Sequence, residues 1–347
     1  MIMGALKVGV VGTGAIGQEH IERITNKLVG AKVVAITDVN EENAKKAAAI
    51  CGARIEKDSA AVVNASDVDA LVVCSWGPAH AATVLQAIAA GKPVFCEKPL
   101  ATTAEDCKKI VDAEVAGGKH LVQVGFMRRY DKGYLQMKEI IDSGEMGEPL
   151  LVHCAHRNAQ VGESYVTPMA VNDTAIHEID TIHWLINDEY VSAQVIIGKD
   201  TKYSHPKLKD PQIMILRTKG GITIDIEVFV NCKFGYDIQC EVCCEEGIVR
   251  MPEPGFPTLR KDKNHSVYIE QDWKRRFGDA YDVEIQNWIN STMKGEVHGP
   301  TAWDGYTAAV TSDALVKSQQ TGAVEPITTG ARPAFYDSAC PGNTAGK

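Results

Sequence analysis

Asp173 and His177 stand four residues apart in Asn172-Asp173-Thr174-Ala175-Ile176-His177, a spacing that puts both on one face of a helix. An imidazole titrates near neutrality and can take a hydroxyl proton. A carboxylate one turn earlier can orient that ring or hold a neighbouring substrate hydroxyl. A surface pair and a core histidine are the bland alternatives. Asp180 falls on the same side and raises the question of a metal, but position 181 is Thr, so the H-E-x-x-H zinc signature is absent. Cys240-Glu241-Val242-Cys243-Cys244 lacks a second cysteine pair of matching spacing and reads as part of a strand. No metal is expected. Lys98, in Glu97-Lys98-Pro99, follows a strand-like run, Pro93–Cys96. Ligands of parallel sheets bind at the carboxyl ends of strands, so Lys98 is a candidate to meet a developing negative charge there.

Gly12-Thr13-Gly14-Ala15-Ile16-Gly17 is a G-x-G-x-x-G between an expected strand and an expected helix. Gly12 permits the tight turn, Gly14 lets a pyrophosphate approach the backbone, and Gly17 allows close packing of helix on strand. The amide groups of Ala15 and Ile16 open the helix toward that anion. Asp38 ends the second strand, 21 residues after Gly17, where a carboxylate accepts from ribose hydroxyls and repels a 2′-phosphate. No Arg or Lys occupies Val39 or Asn40, so NAD is expected rather than NADP.

The elements that position these groups follow from the pattern. Lys7–Val11, Val33–Thr37, Ala70–Cys74, Pro93–Cys96 and Leu121–Val124 are apolar runs of strand length, separated by helical runs at Ala15–Leu28, Glu41–Ile50, Ala79–Ala90 and Ala104–Ala116. That alternation implies βαβ units and a parallel sheet covered on both faces. After Tyr130 the texture changes. Tyr134–Ile141 reads as a helix, and Ile222–Val230 alternates apolar and polar residues with period two. Val191–Ile197, Gln212–Thr218, Tyr236–Glu245 and Ile248–Met251 read as its neighbours in a largely antiparallel sheet, followed by helices at Ala280–Met293 and Trp303–Gln320. The expected fold class is therefore α/β: residues 1–125 a dinucleotide-binding domain, 126–328 a second α/β domain with a large open sheet, and 329–347 a loose tail. The last helices are expected to pack back on the first domain. Arg128 and Arg129 sit at the junction, where lining a cleft and pairing with acidic surface are equally open.

The chain of 347 residues carries 36 Lys+Arg against 45 Asp+Glu, a net charge of −9, which disfavours a nucleic-acid partner. No run approaches the length of a membrane span. Ten dispersed cysteines and a start without a basic leader suggest reduced thiols in the cytoplasm.

The Gly12–Gly17 motif, Glu97-Lys98-Pro99, Gly125–Asp131, Asp173-x-x-x-His177 with Glu178-Ile179-Asp180, and Gly299–Tyr306 together resemble the Gfo/Idh/MocA oxidoreductase family, from Ala5 to Ile327. The Met127–Asp131 and His153–Asn158 segments are similar to those of its inositol-oxidising members. The resemblance implies NAD-dependent oxidation of a cyclic polyol, myo-inositol first, to a ketone. Lys98, Asp173 and His177 would form the catalytic set. It implies that Met127, Arg128, His156, Asn158, Thr174 and Tyr236 hold substrate hydroxyls, with Lys98, Asp173 and His177 also touching substrate. Ser75, Trp76, His80, Glu97 and Lys98 would lie along the cofactor. It further implies a homotetramer assembled through the second domain's sheet. His156 and Asn158 are two apart and point the same way on a strand; His153 points elsewhere. Other inositol isomers, an aldose such as glucose, the reverse reaction on an inosose, and a non-enzymatic NAD-binding regulator are the alternatives.

Overall fold

The computed structural model describes residues 4–337. In chain order the strands are β1 Leu6–Val11, β2 Ala31–Thr37, β3 Arg54–Ile55, β4 Ala70–Val73, β5 Val94–Glu97, β6 Val122–Gly125, β7 Pro149–Arg157, β8 Tyr190–Ile197, β9 Gln212–Thr218, β10 Thr223–Phe229, β11 Asp237–Cys244, β12 Ile248–Arg250, β13 Thr258–Lys261, β14 Asn264–Val267 and β15 Glu325–Pro326. The α-helices are α1 Ala15–Asn26, α2 Glu41–Cys51, α3 Ser59–Asn64, α4 His80–Ala89, α5 Ala104–Gly117, α6 Lys132–Ser143, α7 Ile176–Ile186, α8 Trp273–Arg276, α9 Gly278–Met293 and α10 Ala302–Thr321. The chain divides into two compact units. Among the described residues the first comprises 4–127, 281–310 and 329–337, and the second 128–280 and 311–328.

The first unit is built on a parallel sheet in the order β3-β2-β1-β4-β5-β6. Strands β4, β5 and β6 are buried along their whole length, which is why they read as largely apolar runs rather than alternating ones. The order reverses between β1 and β4, and the carboxyl ends of those two strands define the crevice where ligands of such sheets bind. Helix ends follow the side chains available. Asn40 caps α2 by accepting from the amides of Glu42 and Asn43 at 3.0 and 3.3 Å, and Thr103 caps α5 through the amide of Asp106 at 3.2 Å. Leu6, Val8, Val10, Ile36, Val72 and Phe95 form the core with Ile285, Trp288 and Ile289 of α9. Residues 281–310 thus group with this unit.

The stretch from Thr329 also differs from the loose tail expected of its Gly, Pro and Thr content. Tyr336 is fully buried, its hydroxyl donates to Glu114 at 2.8 Å, and His120 stacks on Phe335 with ring centroids 3.8 Å apart. Two aromatic anchors outweigh the local composition. Residues 338–347 of that expected tail lie outside the described part.

The second unit carries a seven-stranded sheet in the order β12-β11-β7-β10-β9-β8-β15, antiparallel except for the β7–β10 pair. Ile224, Ile226 and Val228 of β10 are buried while Thr223, Asp225 and Glu227 face the other side, as the period-two pattern requires. Cys240 and Cys244 take the buried positions of β11, and the described cysteines are free thiols. A single π-helical turn, Ala170–Ala175, runs into α7.

Candidate active site

In the first unit, the residues at the crevice come from four strand ends. Gly12 follows β1 with φ +91°, a left-handed value, and a Cβ there would lie 2.3 Å from the Ser75 amide nitrogen. Gly14 faces open space, so nothing of the chain bars a ligand from its backbone. Gly14 is also the N-cap of α1 and offers no side-chain cap, which leaves the first amides of α1, Ala15 and Ile16 among them, directed at the crevice without an intrahelical acceptor. Asp38 accepts from the Thr13 amide at 2.6 Å and the Thr13 hydroxyl at 3.1 Å through Oδ2, and from the Asn40 amide at 2.8 Å through Oδ1. Each carboxylate oxygen has two lone pairs, so Oδ1 retains one for a ribose hydroxyl. Ser75 Oγ finds no hydrogen-bond partner among the described residues, and Trp76 is 82% exposed. These features fit a dinucleotide: uncapped amides for the pyrophosphate, a carboxylate for the ribose, an unsatisfied hydroxyl and an exposed aromatic ring beside them.

Two of the residues expected to lie along the cofactor, His80 and Glu97, are buried. His80 is buried, with Nδ1 2.7 Å from the Pro99 carbonyl and Nε2 2.7 Å from the Ser75 carbonyl. Burial lowers its pKa, and the two carbonyls only partly offset that. The ring ties the Ser75 turn to the segment after Lys98. Glu97 is also buried, its Oε1 on His20 and its Oε2 on the Lys98 amide. His80 and Glu97 are the polar groups on which the two strand-end turns are built.

In the second unit, Arg128, His156, Glu178 and Tyr236 form one buried polar cluster. Glu178 bonds Arg128 Nη1, and its Oε2 lies 2.9 Å from His156 Nδ1. Arg128 Nη2 is 3.1 Å from the same nitrogen, the guanidinium also bonds the Tyr236 hydroxyl, and its carbon sits 5.3 Å over the Phe277 ring. Burial pushes the Glu178 carboxyl up, but Arg128 and His156 together outweigh it and hold the group below its ordinary value. Burial likewise opposes the Arg128 charge, and Glu178 overcomes it. Tyr236 is pushed up to about 12 by burial and stays a phenol.

An ionised carboxylate accepts only. The Arg128 guanidinium, which only donates, competes for the same nitrogen, but the carboxylate contact is the shorter, 2.9 against 3.1 Å, and assigns the Nδ1 proton of His156 to Glu178, leaving Nε2 as the ring's acceptor nitrogen. The His156 and His177 rings lie 6.3 Å apart, and Tyr236 meets His156 edge to face at 5.6 Å.

His177 is buried in the first turn of α7, and Asp173, one π-turn earlier, is exposed. The extra residue of a π-turn re-aims side chains, and such turns recur at functional sites. Thr174, on the same turn, lies 2.5 Å from the Tyr165 hydroxyl, which donates to the Met169 carbonyl at 2.7 Å. Thr174 therefore donates to Tyr165. Met127 is buried, and Asn158, just beyond β7, continues the ladder through its amide on the Phe229 carbonyl at 3.0 Å. His153 points to the opposite face of the sheet and pairs with Asp225.

Arg129 clasps Asp180 through two hydrogen bonds, so both arginines, Arg128 buried and Arg129 partly so, pair with buried acidic residues on α7 rather than with acidic surface. Asp180 is thereby committed to a cation of the chain itself. Glu178 is the residue that reasoning from spacing missed. Its signal was present, since Ile176–Ile186 is apolar enough to be a wholly buried helix, and a carboxylate within it needs an internal cation.

Comparison with known proteins places both units. A model of the Gfo/Idh/MocA oxidoreductases, described as an oxidoreductase family with an NAD-binding Rossmann fold, matches residues 6–126, and its companion C-terminal alpha/beta domain matches 138–329. The inositol 2-dehydrogenase of Pseudomonas savastanoi pv. phaseolicola is 57% identical over 335 residues, covering 96% of this chain and all of that one. The inositol 2-dehydrogenase of Azotobacter vinelandii is 58% identical over 95% of this chain and 98% of its own. The crystal structure of myo-inositol dehydrogenase from Lactobacillus casei, in complex with NAD(H) and myo-inositol, superposes with a TM-score of 0.94. It is 43% identical and covers 96% of this chain and 99% of that one.

Proposed function

Since the chain belongs to the Gfo/Idh/MocA family of NAD-binding oxidoreductases, we propose that it oxidises myo-inositol at the 2-hydroxyl to 2-keto-myo-inositol, with NAD as acceptor. The observation that carries this reading is likeness over nearly the whole chain to enzymes named for that reaction, including one whose structure holds both ligands. The nicotinamide, when bound, supplies the acceptor for the carbinol hydrogen. The chain's own groups do the rest. Ala15 and Ile16 amides and Asp38 seat the dinucleotide, with Gly12, Gly14 and Gly17 shaping the turn and Ser75 and Trp76 alongside. His177 takes the hydroxyl proton. Lys98 donates a hydrogen bond to the reacting oxygen and offsets its growing negative charge. Asp173 orients His177 and completes the proton path.

Neutral polyol hydroxyls need donors and acceptors in alternation. Arg128 and the phenol of Tyr236 supply donors, His156 Nε2, Asn158 and Thr174 supply acceptors, and Met127 gives the ring an apolar floor. The enzyme works as a cytoplasmic homotetramer. Two features support this: the described thiols are free, and the outward face of the second unit's sheet carries exposed Leu151 and Ile213 beside the ion pairs of His153 and Arg157.

NADH formation against a panel of inositols and aldoses tests the assignment. Turnover should be highest with myo-inositol. Preference for scyllo-inositol, chiro-inositol or glucose would reassign the substrate, and NAD binding without turnover on any of them would favour a regulator.

A further inference from the structure

Lys98 reaches its position through a buried connection that begins on the nucleotide-binding helix. His20, on α1, is fully buried, and its Nε2 lies 2.7 Å from Glu97 Oε1. A carboxylate accepts, so Nε2 carries the proton; Nδ1 finds no hydrogen-bond partner among the described residues. The ring is fixed in place by edge contacts with Phe95 and Tyr281, each at 5.7 Å between centroids. The other carboxylate oxygen, Oε2, accepts from the Lys98 amide at 3.1 Å. Space for that carboxylate exists because residue 125 on the neighbouring strand is Gly: a Cβ there would lie 3.1 Å from Oε2. Glu97 is 4% exposed. A buried carboxylate with one oxygen on a helix and the other on the amide of the next residue fixes two elements relative to each other.

We propose that His20 and Glu97 are a positioning pair for Lys98. His20 fixes the Glu97 carboxylate, and the carboxylate fixes the backbone from which the Lys98 side chain springs. Because His20 rides on the helix whose N-terminus seats the pyrophosphate, cofactor and lysine share one frame. This inference rests on the catalytic reading of Lys98 given above. It predicts that the pair acts on the chemical step and not on cofactor affinity.

The test uses the full-length enzyme and the variants Glu97→Gln, His20→Leu and His20→Gln, alone and in a Lys98→Met background. Misplacing a catalytic group by about 1 Å costs about 10²-fold, and kcat for myo-inositol should fall by that order in Glu97→Gln and His20→Leu. NADH affinity, read by fluorescence titration, should be unchanged. His20→Gln, which keeps an N–H donor, should recover most of the rate. In the Lys98→Met background neither change should lower kcat further, as expected of groups acting through the same side chain. Amide hydrogen exchange at Lys98 should be faster in Glu97→Gln than in wild type. That readout needs no turnover, so it decides the pairing even if the substrate assignment fails, and it also serves if His20→Leu does not fold. Wild-type kcat in Glu97→Gln, an equal loss in the Lys98→Met background, or unchanged exchange at the Lys98 amide would overturn the proposal. A Lys98→Met enzyme that turns over normally would instead sink the catalytic reading itself.

Discussion

Replacing Glu178 by Gln removes one charge from the interior and leaves the Arg128 guanidinium, 1% exposed, without its anion. Breaking a buried ion pair from one side costs about 3–5 kcal/mol, because the remaining charge stays desolvated. An exposed pair such as Lys45–Glu42 is worth only about 0–1 kcal/mol, so Lys45→Met serves as the control. Urea unfolding at neutral pH should show the larger loss for Glu178→Gln in the transition of the second unit.

The pH dependence supplies the sign. The folded-state pKa of Glu178 lies below its ordinary value of 4.5. Between the two values the unfolded chain binds the extra proton, so this group's stabilisation is complete above about pH 4.5 and is lost as pH falls through the folded pKa. The gap between wild type and Glu178→Gln should therefore narrow on acidification below that point. Because His156 and Arg128 both lose their anchor, KM for the polyol should rise as well. A variant within about 1 kcal/mol of wild type, with an unchanged gap at low pH, would refute the buried-charge reasoning.

Other outcomes follow from the same geometry. His177→Ala should lower kcat by about 10²–10⁴-fold while NADH affinity holds; collapse of affinity with surviving chemistry would reverse the assignment. Asp38→Ser should relax the preference for NAD over NADP, measured as the ratio of kcat/KM for the two. An unchanged ratio would remove Asp38 from ribose recognition.

The sequence was most legible where one physical rule dominated. Buried parallel strands must be continuous apolar runs, and Ala70–Val73 is one, as is β5 up to Cys96. A strand with one buried face must alternate, and Thr223–Phe229 does. Arg54–Ile55 and Ser59–Asn64 were missed because two and six residues carry too little periodicity. The π-turn at Ala170–Ala175 was invisible because residues four apart share a face in either helix type to within part of a turn. The exposed hairpin of β13 and β14 has no apolar face to announce it.

In the candidate site, the residues chosen by type and spacing were visible, but their internal partners were not. His20, Glu97 and Glu178 meet their partners across 77, 77 and 50 positions of sequence, and no local pattern encodes such a meeting. What the sequence did offer was a carboxylate in an apolar element, at Glu97 in β5 and at Glu178 in α7, and each of these turned out to be the anchor of a strand end or a buried cluster.

The central claim is that the hydrogen on carbon 2 of myo-inositol is the one transferred. Incubation with NAD and myo-inositol deuterated at carbon 2 tests it directly, with mass spectrometry of the reduced cofactor as the readout. One deuterium per cofactor, with turnover slowed relative to unlabelled substrate, is the expected result. Reduced cofactor free of deuterium would contradict the account.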